Sequence, residues 1–354
     1  MTWRVGISGL RRGASLAHVL GLQPDCTIAA ACDPSPANLE AFGSRYPEAR
    51  RYARYEEMLE GGIDICAVAS PVPLHCSQTL AALEAGCHVL QEVCLAPTVE
   101  ECRAIYDAVQ AHPRQCFMLA ENCNYWAHVL SWQELFRQGT VGELIYAEAE
   151  YIHDVRGLMQ DAGGAPTWRA DLPPIHYCTH SLGPLLKVTG ARCVSACGLM
   201  SRSKLDPGEG HVDMEVGIFQ TDGGATIKIL AGFRVVREPA FHYYSLYGTR
   251  GTLETARPPA PAQTHAYLQQ IPHLQGMMQW PLGTDVPRAP AGAGVGGHGT
   301  AEYYMAVDFM TAVRQGTPPP IDIHAALAMS LPGLFAHQSA LQGGKPVAIP
   351  DWGK

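Results

Sequence analysis

Val5-Gly6-Ile7-Ser8-Gly9-Leu10-Arg11-Arg12-Gly13-Ala14 is the stretch that decides the fold. An apolar run, a glycine-bearing turn and a helical pattern follow one another, as in the strand–turn–helix that opens a dinucleotide-binding βαβ unit. The glycines permit a tight turn and close backbone approach, and the helix N-terminus behind them faces a pyrophosphate. Taken as Gly-x-Gly-x-x-Gly from Gly9, the second glycine is Arg11 and the third is Ala14. Alanine is tolerated at the third place; arginine at the second departs from the pattern. Asp33 closes the next apolar run, about 20 residues on, where a carboxylate accepts from the adenosine ribose hydroxyls and disfavours a 2′-phosphate. The expected cofactor is therefore NAD rather than NADP, although Arg11 and Arg12 stand where they can offer charge to a phosphate. Gly9, Arg11, Arg12, Gly13 and Asp33 are the first expected cofactor-binding residues; the bland alternative is a strand–turn–helix without a ligand.

Outward from that turn, short apolar runs alternate with amphipathic stretches, the pattern of βαβ units around a parallel sheet. Strands are expected at Val5–Ser8, Thr27–Cys32, Ile63–Ala69, His88–Gln91 and Phe117–Leu119. Helices are expected at Ala14–Leu20, Pro36–Tyr46, His75–Ala85 and Thr98–Ala111, with Pro36 and Thr98 at their starts. After Glu121 the rhythm changes. A helix (Val129–Arg137) leads into strands at Leu144–Ile152, Val212–Gln220, Thr226–Leu230 and His242–Tyr247, separated by turns such as Asp222-Gly223-Gly224. Helices Glu302–Gln315 and His324–Gln342 close the chain, and no internal repeat is visible. The expected fold is α/β: an N-terminal Rossmann dinucleotide-binding domain (1–121), then an α+β domain (122–354) with a largely antiparallel open sheet for substrate binding and oligomerisation. Residues 257–297 are dense in Pro, Gly and Ala without a period; they read as a long wrapping loop, a lid or an oligomer contact, part of which packs through Met277, Met278 and Trp280.

The chain's 354 residues suit two domains, and 47% hydrophobic with 16% charged residues describes a globular protein. A net charge of -8 without any Lys/Arg run argues against a nucleic-acid partner. No apolar run approaches membrane-spanning length, and Met1 to Ile7 enters the first strand without a leader pattern. The 12 cysteines never form Cys-x-x-Cys and read as reduced core residues. A cytoplasmic protein is expected.

Three further stretches carry a resemblance. Asp64-Ile65-Cys66-Ala67-Val68-Ala69-Ser70-Pro71 followed by His75, then Glu84-Ala85-Gly86-Cys87-His88-Val89-Leu90-Gln91-Glu92, then Thr98-Val99-Glu100-Glu101 are similar to the Gfo/Idh/MocA family of sugar and inositol dehydrogenases. Gly139-Thr140-Val141-Gly142-Glu143 and Gly343-Gly344-Lys345-Pro346-Val347 extend the likeness over nearly the whole chain. It implies that Ser70, Pro71, His75, Glu92, Val93 and Asn122 also line the cofactor. Where that family carries Glu-Lys-Pro, with a lysine that assists hydride transfer, this chain has Glu92-Val93-Cys94, and its first lysine is Lys187. The family's Asp-x-x-x-His, whose histidine is an acid–base, is here His176-Tyr177-Cys178-Thr179-His180.

Both departures resemble a divergent branch, the NAD-dependent glycosidases of glycoside hydrolase family 109, typified by α-N-acetylgalactosaminidases. That branch has Glu-Val-Pro and Tyr-Pro-Thr-His-x-Leu-Gly-Pro; Tyr177-Cys178-Thr179-His180 with Leu182-Gly183-Pro184 matches except at Cys178. His153-Asp154-Val155-Arg156, Trp168-Arg169, Glu121-Asn122-Cys123 with Tyr125, and Gly297-His298-Gly299 also have counterparts. The resemblance implies a tightly bound NAD, recycled each turnover, and a glycoside substrate. The sugar is oxidised at carbon 3, loses its carbon 2 proton and its aglycone, takes up water and is reduced again. Tyr177 is the candidate for the carbon 2 proton and His180 for the carbon 3 hydroxyl, with the roles interchangeable. Arg156, Asp154, Trp168, Arg169, Tyr125 and His298 are expected to bind substrate. For Asp154 and Arg156 a plain salt bridge is equally compatible, and His153 and His298 read as supporting rather than reacting groups. No metal is expected: His176 and His180 have ligand spacing but lack a third ligand. A sugar or cyclitol dehydrogenase and a non-catalytic NAD-binding regulator are the alternatives, and a homodimer or homotetramer is the expected assembly.

Overall fold

A computed structural model describes residues 2–352 apart from 209, 259, 261–262, 283–287 and 295–297. Gly297 and parts of the Pro/Gly-rich segment lie outside the described residues. The chain divides into two compact units: Met1–Tyr125 with Pro287–Leu327, and Trp126–Val286 with Ala328–Lys354. A single cut after residue 121 thus leaves out one feature, because residues 287–327 return to the first unit.

The first unit is a parallel sheet of β1 (Trp3–Ser8), β2 (Cys26–Cys32), β3 (Arg50–Tyr52), β4 (Ile65–Val68), β5 (His88–Gln91) and β6 (Phe117–Leu119), in the order β3-β2-β1-β4-β5-β6. All four residues of β4 are buried, as expected of a strand covered on both faces. The crossover helices are α1 (Leu10–Gly21), α2 (Pro36–Arg45), α3 (Tyr55–Glu60), α4 (His75–Glu84) and α5 (Val99–Ala111). Two start where their caps dictate. Ser35 accepts from Asn38 N before Pro36, and Thr98 accepts from Glu101 N at 3.2 Å, with Glu100 and Glu101 in the first turn. Helix α1 begins four residues before the expected Ala14, because the turn at Gly9 leads straight into it. Strand β3 and helix α3 escape periodicity: they span three and six residues.

The second unit is a nine-stranded sheet. Helices α6 (Ala127–Arg137) and α7 (Thr179–Thr189) accompany β7 (Leu144–Ile152), β8 (Cys193–Arg202), β9 (Val212–Thr221), β10 (Thr226–Gly232), β11 (Phe241–Gly248), β12 (Gly251–Thr255), β13 (Thr264–Leu268), β14 (Met278–Trp280) and β15 (Val347–Ala348). The order is β14-β13-β12-β11-β7-β10-β9-β8-β15, antiparallel throughout except for the parallel pair β7–β10. The expectation that residues 257–297 lack regular structure is corrected: β13 and β14 lie inside that segment and extend the sheet edge. Their brevity and the flanking prolines hide the alternation. On β7, Ala147 and Ala149 are fully buried on the face that α7 covers, and Tyr151 continues the same side. The opposite face carries Glu148, ion-paired to Lys228 directly across on β10.

Helices α8 (Ala301–Gln315) and α9 (Ile323–Leu341) complete the list. Residues 328–341 of α9 belong to the second unit, where Gly333 allows a close approach. A Cβ there would lie 2.4 Å from the Ile175 carbonyl oxygen and 2.7 Å from Cys178 Sγ. Helix α9 therefore packs directly behind the turn that carries Tyr177. Gly333→Ala should lower the unfolding free energy by about 1–3 kcal/mol, the usual cost of overpacking, measured by urea titration. An unchanged midpoint would contradict this packing.

Candidate functional site

The first unit builds a cradle at the carboxyl ends of its strands. Gly9 has φ +82°, and a Cβ on it would stand 2.4 Å from the Ala69 carbonyl oxygen. Only glycine meets both conditions. Its N–H donates to the Cys32 carbonyl at 2.9 Å, and no side chain caps α1. Gly13, rather than Ala14, supplies the close helix–strand contact, since a Cβ at 13 would meet Ile7 Cγ2 at 2.6 Å. These features fit a dinucleotide: the helix start is open to a pyrophosphate, and the backbone comes close.

Asp33 is more occupied than its position suggests. One carboxylate oxygen accepts from Leu10 N at 2.9 Å; the other accepts from Ser35 N at 2.9 Å and Asn38 Nδ2 at 3.1 Å. A carboxylate has about four acceptor sites, so three donors leave room for one ribose hydroxyl. Here Asp33 first fastens the β1–α1 and β2–α2 turns together.

Arg12 is not available as a free cation. Its guanidinium pairs with Glu92 at 2.9 Å and with Glu302, on α8, at 2.6 Å. The two carboxylates outweigh burial and raise its pKa further. Glu302 is 1% exposed, and it also accepts from His298 Nδ1 at 2.7 Å and Asn122 Nδ2 at 3.4 Å. Burial opposes its ionisation, but His298 and Arg12 hold its carboxyl below the usual range. Glu302 was not foreseen; the signal was the i, i+4 spacing of His298 and Glu302 at a helix start. Arg11 is exposed on the same turn.

His75 is a brace. It is buried, with Nδ1 2.7 Å from the Cys94 carbonyl oxygen and Nε2 2.9 Å from that of Ser70. Burial, the larger effect, lowers its pKa against the two carbonyls that favour protonation. Gln91 Nε2 donates to the Leu95 carbonyl at 2.7 Å, so the Glu92–Val93–Cys94 loop is held from two sides. Val93 is buried and the Val93–Cys94 peptide is cis. Pro71 is exposed, whereas Ser70 is buried with its hydroxyl unpaired. Tyr125 belongs to the first unit and is buried, with burial and then Asp308 raising its pKa well above normal.

In the second unit, Tyr177 ends a short 3-10 turn (Pro174–Tyr177), and His180 lies in the first turn of α7. Their ring centroids are 5.7 Å apart. Phe233 packs edge-on to Tyr177 at 5.5 Å. The Arg169 guanidinium stacks 4.3 Å over Trp168 and stands 5.9 Å from the Tyr177 centroid. Asp154 and Arg156 form the plain salt bridge, with Arg156 Nε and Nη2 donating at 2.9 and 2.7 Å. That pairing depresses the Asp154 pKa and raises that of Arg156.

Tyr151 and His242 join this cluster without having been foreseen. Tyr151 lies 5.5 Å from His180, stacks on His242 at 4.3 Å and shares a 3.0 Å hydrogen bond with His153 Nδ1. The stack is a cross-strand pair, since His242 opposes Tyr151 in the β11–β7 register. Burial, then Arg169, His180 and opposing acidic charges, leave His153 with a lowered pKa. His176 is buried edge-on to His337 at 5.3 Å, and His337 pairs with Glu215 at 2.8 Å.

Residues 3–120 match the oxidoreductase family, NAD-binding Rossmann fold, and residues 212–354 match the glycosyl hydrolase 109 C-terminal domain. A glycosyl hydrolase family 109 protein of Saccharopolyspora erythraea is 27% identical, covering 99% of this chain and 83% of its own. One of Solibacter usitatus is 26% identical, covering 99% and 88%. Among solved structures, levoglucosan dehydrogenase in complex with NADH and levoglucosan superposes with a TM-score of 0.84 at 18% identity, covering 99% of this chain and all of the other. Myo-inositol 2-dehydrogenase from Lactobacillus plantarum gives 0.77 at 21%, with 99% of this chain covered. These structures share the fold.

Two buried histidines give the second unit an acid limit. Burial lowers the His128 pKa from 6.5 to about 4 and, with His337, that of His176 to about 3. The unfolded chain takes up these protons first, so the stabilisation is complete above pH 6.5 and lost as pH falls toward 4 and 3. Unfolding titrations across that window should show declining stability, with a shallower decline in His128→Phe. Equal slopes in the two proteins would rule His128 out as a contributor.

Proposed function

The chain belongs to the Gfo/Idh/MocA oxidoreductase family, in the branch with a glycosyl hydrolase 109 C-terminal domain, and we propose that it cleaves glycosides by transient oxidation of the sugar. The observation that carries this reading is the pairing of Tyr177 with His180 beside Arg169, in a chain whose Glu92-Val93-Cys94 loop has no lysine. Bound NAD, held at the Gly9 turn, supplies the chemistry of taking a hydride from carbon 3 and returning it. The residues supply proton handling.

His180 Nδ1 or Nε2 accepts the carbon 3 hydroxyl proton as the alcohol becomes a ketone, and gives it back at the end. The ketone acidifies the carbon 2 proton, which the Tyr177 oxygen removes as the carbon 1–aglycone bond breaks. Water then adds its hydroxyl to carbon 1 of the enone, its other proton ends on the departed aglycone oxygen, and Tyr177 returns its proton to carbon 2. Arg169, fixed by stacking on Trp168, favours negative charge on the Tyr177 oxygen and on the enolate. Neutral His153 can accept a hydrogen bond from Tyr151, placing a second phenol within the same cluster. Oxidation and reduction cancel, so no net NADH forms.

The alternative is net oxidation of a sugar or cyclitol, which the dehydrogenase fold of the solved relatives favours. Incubation with aryl glycosides in D₂O separates the two. Aglycone release with deuterium at carbon 2 and no accumulating NADH is expected; NADH accumulation without aglycone would establish the dehydrogenase. Tyr177→Phe should slow release by about 10²–10⁴-fold, the range for a lost acid–base group, with NAD still bound.

A further inference from the structure

Phe233 and Arg234 follow β10 and send their side chains to different places. Phe233 packs edge-on against the rings of Tyr177 and Tyr151, at 5.5 Å from each. Arg234 is 2% exposed. We propose that Arg234 is a positioning residue: through the Ala170 carbonyl it fixes the turn that carries Trp168 and Arg169, and so sets Arg169 beside Tyr177. The inference rests on Arg169 assisting Tyr177 in the proposed reaction.

Three observations carry it. A guanidinium taken out of water must be paired, and its planar fork can serve several acceptors at once. Arg234 Nη2 donates to the Ala170 carbonyl at 2.7 Å and Nη1 to the Val212 carbonyl at 3.0 Å, while Nε stands 3.4 Å from Asp206 Oδ2. One buried side chain therefore joins three stretches that the sequence keeps apart. Its own backbone is also fixed. Arg234 N and Phe233 N donate to the Asp213 carbonyl at 3.3 and 3.1 Å, and the Phe233 carbonyl accepts from Val155 N at 3.0 Å. Finally, the acceptor is the residue next to Arg169. Ala170 is buried, and its N–H closes the turn on the Thr167 carbonyl at 2.9 Å. The Arg169 guanidinium, 4.3 Å over Trp168 and 5.9 Å from the Tyr177 centroid, thus hangs from a fixed point. Asp206, shared with His211 Nδ1 at 3.1 Å, is the one partner that can be removed without touching either carbonyl bond.

Fluorine NMR of the full chain labelled with fluorotryptophan reads the Arg169–Trp168 stack without turnover. The chain has six tryptophans, and Trp168→Phe assigns the resonance. Arg234→Gln is too short to reach the Ala170 carbonyl and should shift the Trp168 resonance as Arg169→Gln does, with no further shift in the double variant. Asp206→Asn should leave the resonance in place; a shift equal to that of Arg234→Gln would mean general loosening and overturn the inference. Arg234→Met keeps the test open if Arg234→Gln does not fold. With aryl glycosides, kcat of Arg234→Gln should fall by about 10²-fold, the order for a reacting group misplaced by roughly 1 Å. The same change in an Arg169→Gln background should cost almost nothing, because Arg234 acts through Arg169. An unmoved Trp168 resonance, or losses in kcat that simply add, overturns the inference alone. Absence of aglycone release by the wild-type chain overturns the proposed reaction, and the fluorine signal then still decides whether Arg234 places Arg169.

Discussion

The first unit depends on how closely the turn after β1 approaches the end of β4. Gly9 tolerates φ +82° and leaves no room for a Cβ against the Ala69 carbonyl. Because the backbone passes there, α1 starts at Leu10, and Leu10 N reaches Asp33. Gly13 then seats on Ile7, and Arg12 meets Glu92 beyond β5. Each of these contacts would be displaced by a single added carbon at position 9. The same approach leaves the helix start uncapped, which is what a pyrophosphate requires.

In the second unit the turn that bears Tyr177 and helix α7 are held from behind. Gly333 brings α9 against the turn bearing Tyr177, and buried Ala147 and Ala149 lie where α7 packs on β7. His176 and His337 fill the space behind with aromatic edges, and Glu215 anchors His337. His176 is thus part of the packing. Tyr177 and His180 lie together with ring centroids 5.7 Å apart, and Arg169 stacks on Trp168 beside them.

Local signals in the sequence were read well where they act over a few residues. Ser35 before Pro36 and Thr98 before Val99 mark real helix starts, and the alternation in Leu144–Ile152 marks a real strand. Elements too short for a period, such as Arg50–Tyr52 and Met278–Trp280, left no trace. The candidate site divided in the same way. Tyr177 and His180 are neighbours in sequence and in space. Tyr125 sits near the Asn122 turn in sequence, yet its burial beside Asp308 depends on a helix that returns from far along the chain.

The sequence by itself determined the dinucleotide turn and the two-part architecture. Both follow because glycine conformation and strand alternation are local properties. Only the tertiary structure decided which charges are free. Arg12 reads as a free cation until Glu302 arrives from α8, and Asp33 reads as a ribose acceptor alone until Leu10, Ser35 and Asn38 take up three donors' worth of its oxygens. Tyr151 is an ordinary strand residue until His242 stacks on it across the β11–β7 register. Electrostatic availability and stacking are pairwise properties of groups distant in the chain, and the folded chain sets them.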